Sequence, residues 1–267
     1  MSPQLERITS LQNAKVKLAN KLRTRRWRDR EMRFVIDDLR DLQRAVALGY
    51  TIDFVFVESQ FGDIDLPAAA QVYIVSSDVL AKVSYRDNPS SIVAVMHRKS
   101  DKTGDQLGEM TAAAVLGLVD LRKPGNIGAL LRTADAAGFG AVFLIDTSLD
   151  IYNPNVIRSS TGACFLDNIF QVTSGEALRF FRANNYTVVA ARPDGGKDLF
   201  AIQVTRPAAV ILGTEDQGLS PFWLEHSDQT ISIPMSGQVS DSLNVSVSGA
   251  IIMYEIYRQQ HVDQKMS

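Results

Sequence analysis

At 267 residues, with 45% hydrophobic and 22% charged side chains, the chain has the size and composition of a globular protein of one or two domains. No apolar run approaches the roughly 20 residues a bilayer span requires and the N-terminus lacks a signal-peptide pattern, so a cytoplasmic protein without a membrane anchor is expected. The lone Cys164 cannot form an internal disulfide, which fits a reducing compartment, and its neighbours Ala163 and Phe165 suggest a small buried side chain.

The net charge of −2 hides an asymmetry: residues 1 to 33 hold ten Lys or Arg against three acids, a net of +7, leaving −9 for the rest. Such a run can be a solvated helix face. Trp27 inside Arg25-Arg26-Trp27-Arg28 places an aromatic among guanidinium groups, a combination suited to phosphate contact with base stacking, so the basic arm points to nucleic acid.

After the arm, Phe34-Val35-Ile36 reads as a strand and Leu39, Leu42, Ala45, Val46 and Leu48 recur at helical spacing up to Gly49. Thr51 to Val57, Gln71 to Val75 and Ile92 to Met96 read as strands, with a short helix from Ser77 to Val83. Residues 1–97 thus form a compact α/β unit, and the polar, glycine-bearing stretch 98–111 reads as a linker.

Residues 112–267 form the second domain. The apolar run Ala113 to Leu121 is the pattern of a strand covered on both faces. A helix over Ile127 to Ala137 follows, with Asn126 placed to cap it and Gly138 to end it. Ala141 to Ile145, Thr187 to Ala191, Ala208 to Leu212 and Thr230 to Ile233 read as strands, and Ser174 to Asn184 and Val245 to Gln259 as helices. Strands alternating with helices imply a mostly parallel sheet in a three-layer sandwich.

Several chemistries lack their signatures. His97, His226 and His261 have no partners at metal-ligand spacing, so no metal is expected, and there is neither a G-x-S-x-G elbow nor a Walker A loop. Gly125 to Gly128 is only G-x-x-G, short of a dinucleotide fingerprint, which weakens an oxidoreductase reading. What the second domain does carry is three loops set against buried-looking runs: Lys123 to Thr133, Ile211 to Ser220 and Ile231 to Val247. Loops at the ends of parallel strands are where such sheets bind ligands, so one composite site is expected. Arg132 lies early in a helix, where a cation opposes the helix dipole and so often answers a ligand, and Glu215 at a strand end can orient Asn126 or Arg132.

Asn126-Ile127-Gly128 with Arg132-Thr133, Gly213 to Gly218 with Glu215, and Ile233-Pro234-Met235 followed by Ser242-Leu243-Asn244-Val245-Ser246 resemble the three ordered motifs of the SpoU/TrmH class of SPOUT RNA 2′-O-ribose methyltransferases. The resemblance covers residues 112 to 260. Arg7 to Asn13 and Phe34-Val35-Ile36 are similar to the L30e-like substrate-binding domain that many of these enzymes carry, although Asp37-Asp38 stands where members often show Glu-Gly. The third motif has four residues between its glycine and serine where three are common. Tyr152 to Phe165 is also similar to a stretch of these enzymes, with Arg158 read either as an RNA contact or, more plainly, as a helix-surface residue.

The resemblance implies an α/β fold with a C-terminal deep trefoil knot, S-adenosyl-L-methionine as cofactor, and a homodimer with the site near the subunit interface. By position, Asn126, Arg132, Glu215, Ser242 and Asn244 match the functional polar residues, and Leu212, Gly213, Thr214, Gly218, Ile233, Met235, Ser242 and Leu243 match the cofactor pocket. The implied partner is RNA, with 23S ribosomal RNA favoured over transfer RNA, and protection against a ribosome-directed antibiotic is one purpose of such a modification. The rival readings are a transfer RNA methyltransferase and a non-catalytic RNA-binding module of the same fold.

Overall fold

The computed structural model describes residues 6–58, 70–86, 88, 90–108, 110–204, 207–239 and 242–262. It divides into two compact units, residues 1–100 with 150–165, and residues 101–149 with 166–267.

The first unit runs β1 (Glu6–Ile8), α1 (Ala14–Lys21), α2 (Arg25–Glu31), β2 (Arg33–Ile36), α3 (Leu39–Ala47), β3 (Ile52–Glu58), β4 (Gln71–Val75), α4 (Ser77–Val83) and β5 (Ile92–His97). Its sheet has the order β1-β4-β3-β5-β2, with β5 antiparallel to both neighbours and the other pairs parallel. Val16, Ala19 and Leu22 of the N-terminal helices and Val79, Leu80 and Val83 of α4 bury against Phe54, Phe56, Tyr73, Val93 and Val95 of the sheet. Asp38 starts α3 by accepting from the Arg40 and Asp41 amides at 2.9 and 3.1 Å.

The basic arm is therefore two helices, and one of its cations is not available to nucleic acid. Arg28 is 2% exposed, with Nε 2.6 Å from Asp150 Oδ2 and Nη1 donating to the carbonyls of Leu22 and Arg23. A buried guanidinium needs a counter-charge and filled donors, and this one has both. Trp27 packs partly against the core, and its ring is occupied by Lys21 and Arg30.

The second unit begins with β6 (Lys102–Thr103) and a single 3₁₀ turn, Gly104–Gln106, closed by a capping box between Thr103 and Gln106. The stretch 98–111 expected as a linker thus contains a strand. Two polar residues at a sheet edge carry no apolar period from which a strand could be read. There follow β7 (Ala114–Val119), α5 (Pro124–Ala136), β8 (Val142–Ile145), α6 (Pro154–Ser160), β9 (Ile169–Val172), α7 (Ser174–Ala183), β10 (Thr187–Ala191), β11 (Lys197–Asp198), β12 (Ala208–Leu212), α8 (Pro221–His226), β13 (Gln229–Ser232) and α9 (Val245–Val262). Of these, α6 packs within the first unit, where Tyr152 and Phe165 lie 4.7 and 5.8 Å from the Phe34 ring and the Tyr152 hydroxyl is 3.2 Å from that of Tyr50.

The eight-stranded sheet has the order β11-β13-β10-β12-β7-β8-β9-β6, and every pair is parallel. Strands β7 to β9 proceed to one side and β12, β10 and β13 lie on the other, so the order switches between β7 and β12, the place where open α/β sheets form a ligand crevice. Phe143, Phe180, Phe181, Tyr186 and Trp223 fill the core on one face. On α9, Gly249 allows close packing: a Cβ there would lie 2.3 Å from Leu130 of α5 and 2.8 Å from Leu212 of β12.

Candidate active site

Strand β12 ends at Leu212, and the chain then turns through a closed loop. Thr214 N donates to Gly218 O and Gly218 N to Thr214 O, each at 3.0 Å, while Thr214 Oγ1 accepts from Gln217 N at 3.1 Å. Gly218 has φ of +67°, and a Cβ on Gly213 would lie 2.3 Å from the Gly218 carbonyl group. Both positions therefore require glycine, one for its backbone angle and one for its lack of a side chain. The loop so fixed holds Glu215 at its tip.

Helix α5 starts at Pro124 with Lys123 as its N-cap, so Asn126 does not cap the helix as its position suggested. Its side chain is spent elsewhere. Asn126 Nδ2 donates to Glu215 Oε1, and Asn126 Oδ1 accepts from Asn244 Nδ2 at 3.3 Å. Asn244 Oδ1 in turn accepts from Ser246 N at 2.9 Å and Ser246 Oγ at 2.6 Å, where α9 begins. A chain of side-chain hydrogen bonds thus joins one residue from each of the three sequence motifs.

Arg132 stands apart from that chain. Six residues along a helix is about 240° around its axis from Asn126, so the two leave α5 on different faces. Arg132 is exposed and has no hydrogen bond or ion pair among the described residues.

One cavity of about 570 Å³ opens at the carboxyl ends of β10, β12 and β13. It is lined by Leu212, Gly213, Thr214, Gly218, Ile233, Met235, Ser242 and Leu243, together with Glu215. All eight residues matched by resemblance to a cofactor pocket therefore face one space, whereas Asn126, Arg132 and Asn244 do not line it. Sequence reasoning missed Ala191 to Asp194, Leu224, Ser248 and Ile252, the lining residues outside the three expected loops. The signal for the first group was available: Asp194-Gly195-Gly196 stands two residues after an apolar strand, and a Cβ on Gly196 would lie 2.4 Å from the Ile231 carbonyl carbon.

The volume falls in the range of about 300–1,000 Å³ typical of small-molecule pockets. Its walls combine apolar side chains, loop backbone, and charge: Asp194, Glu215 and Asp216 against Arg192, which pairs with Asp194 at 3.2 Å. An excess of carboxylate suits a cationic guest. Among the described residues no cluster of three or more His, Cys, Asp or Glu could hold a metal, and no helix is long and apolar enough to cross a membrane.

Residues 113–254 match the model of the SpoU rRNA methylase family. The chain belongs to the SpoU methylase family. Residues 13–94 match a second model, the MRM3-like substrate binding domain. A relative from Bacillus subtilis, named 23S rRNA (guanosine(2553)-2′-O)-methyltransferase RlmP, is 30% identical over 94% of this chain and 99% of its own. A crystal structure of an RNA 2′-O ribose methyltransferase superposes with TM-score 0.83 at 36% identity, covering 95% of this chain and 99% of that one. An AdoMet-bound rRNA methyltransferase from Sinorhizobium meliloti superposes with TM-score 0.82 at 26% identity, covering 97% and 99%. Within this SpoU methylase, the matched region spans every lining residue of the cavity and the whole Asn126, Glu215 and Asn244 chain.

Proposed function

We propose that this chain transfers a methyl group from S-adenosyl-L-methionine to a ribose 2′-oxygen of 23S ribosomal RNA. The observation that carries the reading is the single cavity faced by all eight residues of the expected cofactor pocket, with Glu215 at its edge. The relative named a 23S rRNA 2′-O-methyltransferase and the neighbour crystallised with AdoMet support the substrate and the cofactor.

The residues fit the group chemically. Leu212, Ile233, Met235 and Leu243 offer apolar cover for a flat base, and the Gly213 to Gly218 backbone offers peptide groups beside it. Bound there, S-adenosylmethionine supplies a methyl already activated by a neighbouring positive sulfur. The protein must then align the 2′-oxygen and assist loss of its proton, and alignment alone can contribute about 7–11 kcal/mol. Asn126, Glu215, Ser242 and Asn244 hold the loops in register. Arg132, a cation with no hydrogen bond or ion pair among the described residues, holds the RNA phosphate and polarises the 2′-oxygen through its planar guanidinium.

The active form is a homodimer in the cytoplasm. Val247 and Tyr254 of α9 are 47% and 49% exposed, one helical face apart by seven residues, with half-buried Ile251 between them, which is apolar surface suited to a second copy. The chain around the second and third motifs is threaded as a trefoil knot. Segments that leave separate strands, Arg192 to Asp194, Gly213 to Gly218, and Ile233 and Met235 with Ser242, Leu243 and Val245, line one cavity and support this topology. Residues 1–97 present RNA and residues 112–267 carry the chemistry.

Incubating the purified protein with S-adenosylmethionine carrying a labelled methyl and with ribosomal or transfer RNA tests the reading. Label in a 2′-O-methyl nucleotide of 23S RNA is expected. Label confined to transfer RNA, or none, contradicts it.

A further inference from the structure

The helical hairpin of α1 and α2 carries cations of two kinds. Arg28 is buried and Arg25 pairs with Asp29, whereas Lys15, Lys17, Lys21, Arg23 and Arg26 have no acidic partner among the described residues. Lys17, Lys21, Arg23 and Arg26 are exposed. The aromatic rings beside them are already covered by the protein itself. Lys21 Nζ and Arg30 Cζ lie 4.3 and 4.8 Å from the Trp27 ring centre, Arg23 Cζ lies 5.0 Å from that of Tyr85, and Lys15 Nζ lies 4.7 Å from that of Phe54.

This arrangement decides between two modes of RNA recognition. Unpaired strands are held by bases stacking on open aromatic faces, whereas these rings already carry Lys or Arg side chains of the protein. Duplex RNA is held by its phosphates and its shape, which calls for un-neutralised cations kept in place. A cation resting on a ring is desolvated on that side and loses little freedom when a phosphate arrives, because its position is already fixed. Arg28 fixes α2 from within: one guanidinium binds Asp150 and the carbonyls of Leu22 and Arg23, so the turn between the helices is tied to the second helix.

We propose that the α1–α2 face grips the phosphate backbone of a helical RNA element and does not stack unpaired bases, an inference that rests on RNA being the substrate. It replaces the base-stacking role that the sequence suggested for Trp27.

The test measures affinity of the full-length protein for a ribosomal RNA hairpin and for an unstructured single strand of the same length, across a salt series. The hairpin should bind more tightly. The double variant Lys17→Gln with Arg26→Gln, at exposed positions with no internal partner, should keep the melting temperature and lower the slope of log affinity against log salt by about two. Trp27→Leu should change hairpin affinity by less than roughly threefold, because no base rests on the ring. Tighter binding to the single strand that Trp27→Leu abolishes overturns the proposal, as does an unchanged slope. Methyl transfer is followed in parallel: transfer that persists while the slope is unchanged overturns this inference alone, and loss of both transfer and RNA binding in the wild type overturns the proposed function with it.

Discussion

Asn126 and Glu215, 89 residues apart in sequence, are joined side chain to side chain by a hydrogen bond from Nδ2 to Oε1. The bond ties the start of α5 to the tip of the loop after β12, and Asn244 extends it to the start of α9. Glu215→Ala removes the acceptor and leaves the Asn126 amide without it. Methyl transfer should fall by about 10²-fold, while the melting temperature without ligand changes little because Glu215 is only half-buried. Steady-state methyl transfer beside thermal unfolding checks both parts.

Gly213→Ala should remove cofactor binding. The added Cβ meets backbone atoms of Gly218 and Leu219 at 2.3–2.5 Å, and backbone has no rotamer into which to retreat. The closed loop must open, at a cost of about 1–3 kcal/mol. In the wild type, S-adenosylmethionine at 100 times its dissociation constant stabilises by about 2.7 kcal/mol, and the variant should show no such gain in a thermal shift assay.

Arg28→Ala leaves the Asp150 carboxylate buried without its counter-charge and should destabilise the first unit by about 3–5 kcal/mol. Arg28→Met combined with Asp150→Asn removes both charges and should recover much of the loss, since the Asn oxygen can still accept from Tyr152 N. Calorimetric titration with S-adenosylmethionine should give the wild-type affinity in both, because the cavity is lined entirely by residues of the second unit.

Asp41 gives a pH dependence of known sign. Burial, reinforced by Asp38, raises its carboxyl from 3.8 to about 6. The folded state thus holds a proton that the unfolded chain has released, so this contribution to stability is complete below 3.8 and is lost as pH rises to about 6. Asp41→Asn should lack that loss. Denaturant unfolding at a series of pH values should show the variant gaining on the wild type across this window and a constant difference above it.

Arg132→Ala should lower methyl transfer by about 10²-fold with cofactor affinity intact, and Arg132→Lys should be impaired too, because a point charge does not reproduce a planar fork. Turnover at the wild-type level in Arg132→Ala would remove this residue from the site.

The sequence revealed what apolar patterning controls. The runs at Ala208 to Leu212 and Thr187 to Ala191 are strands at those bounds, and the helix expected over Ile127 to Ala137 lies in α5, with Ile127, Leu130, Leu131 and Ala134 buried. Strands of two residues such as β6 and β11 were not legible, because their pairing is set by neighbours distant in sequence and not by their own side chains. The same limit hid Arg28. Nothing local distinguishes it from Arg26, and only a carboxylate 122 residues away makes it a buried ion. Asn126 looked like a cap because it stands near a helix start, yet its partners come from motifs roughly a hundred positions on. The cavity residues followed from the motif resemblance, whereas the Arg192 to Asp194 side of the cavity lies outside those motifs, and its one sequence mark, the Asp194-Gly195-Gly196 turn, gains meaning only with β10 beside β12 and β13.

The most direct test of the central claim is to map 2′-O-methyl groups in 23S ribosomal RNA after treatment with the purified protein and S-adenosylmethionine. A new ribose methyl at a defined nucleotide, present with the wild type and absent with Gly213→Ala, is the predicted result. Methyl found on a base, or none on RNA although the cofactor binds, would contradict the account.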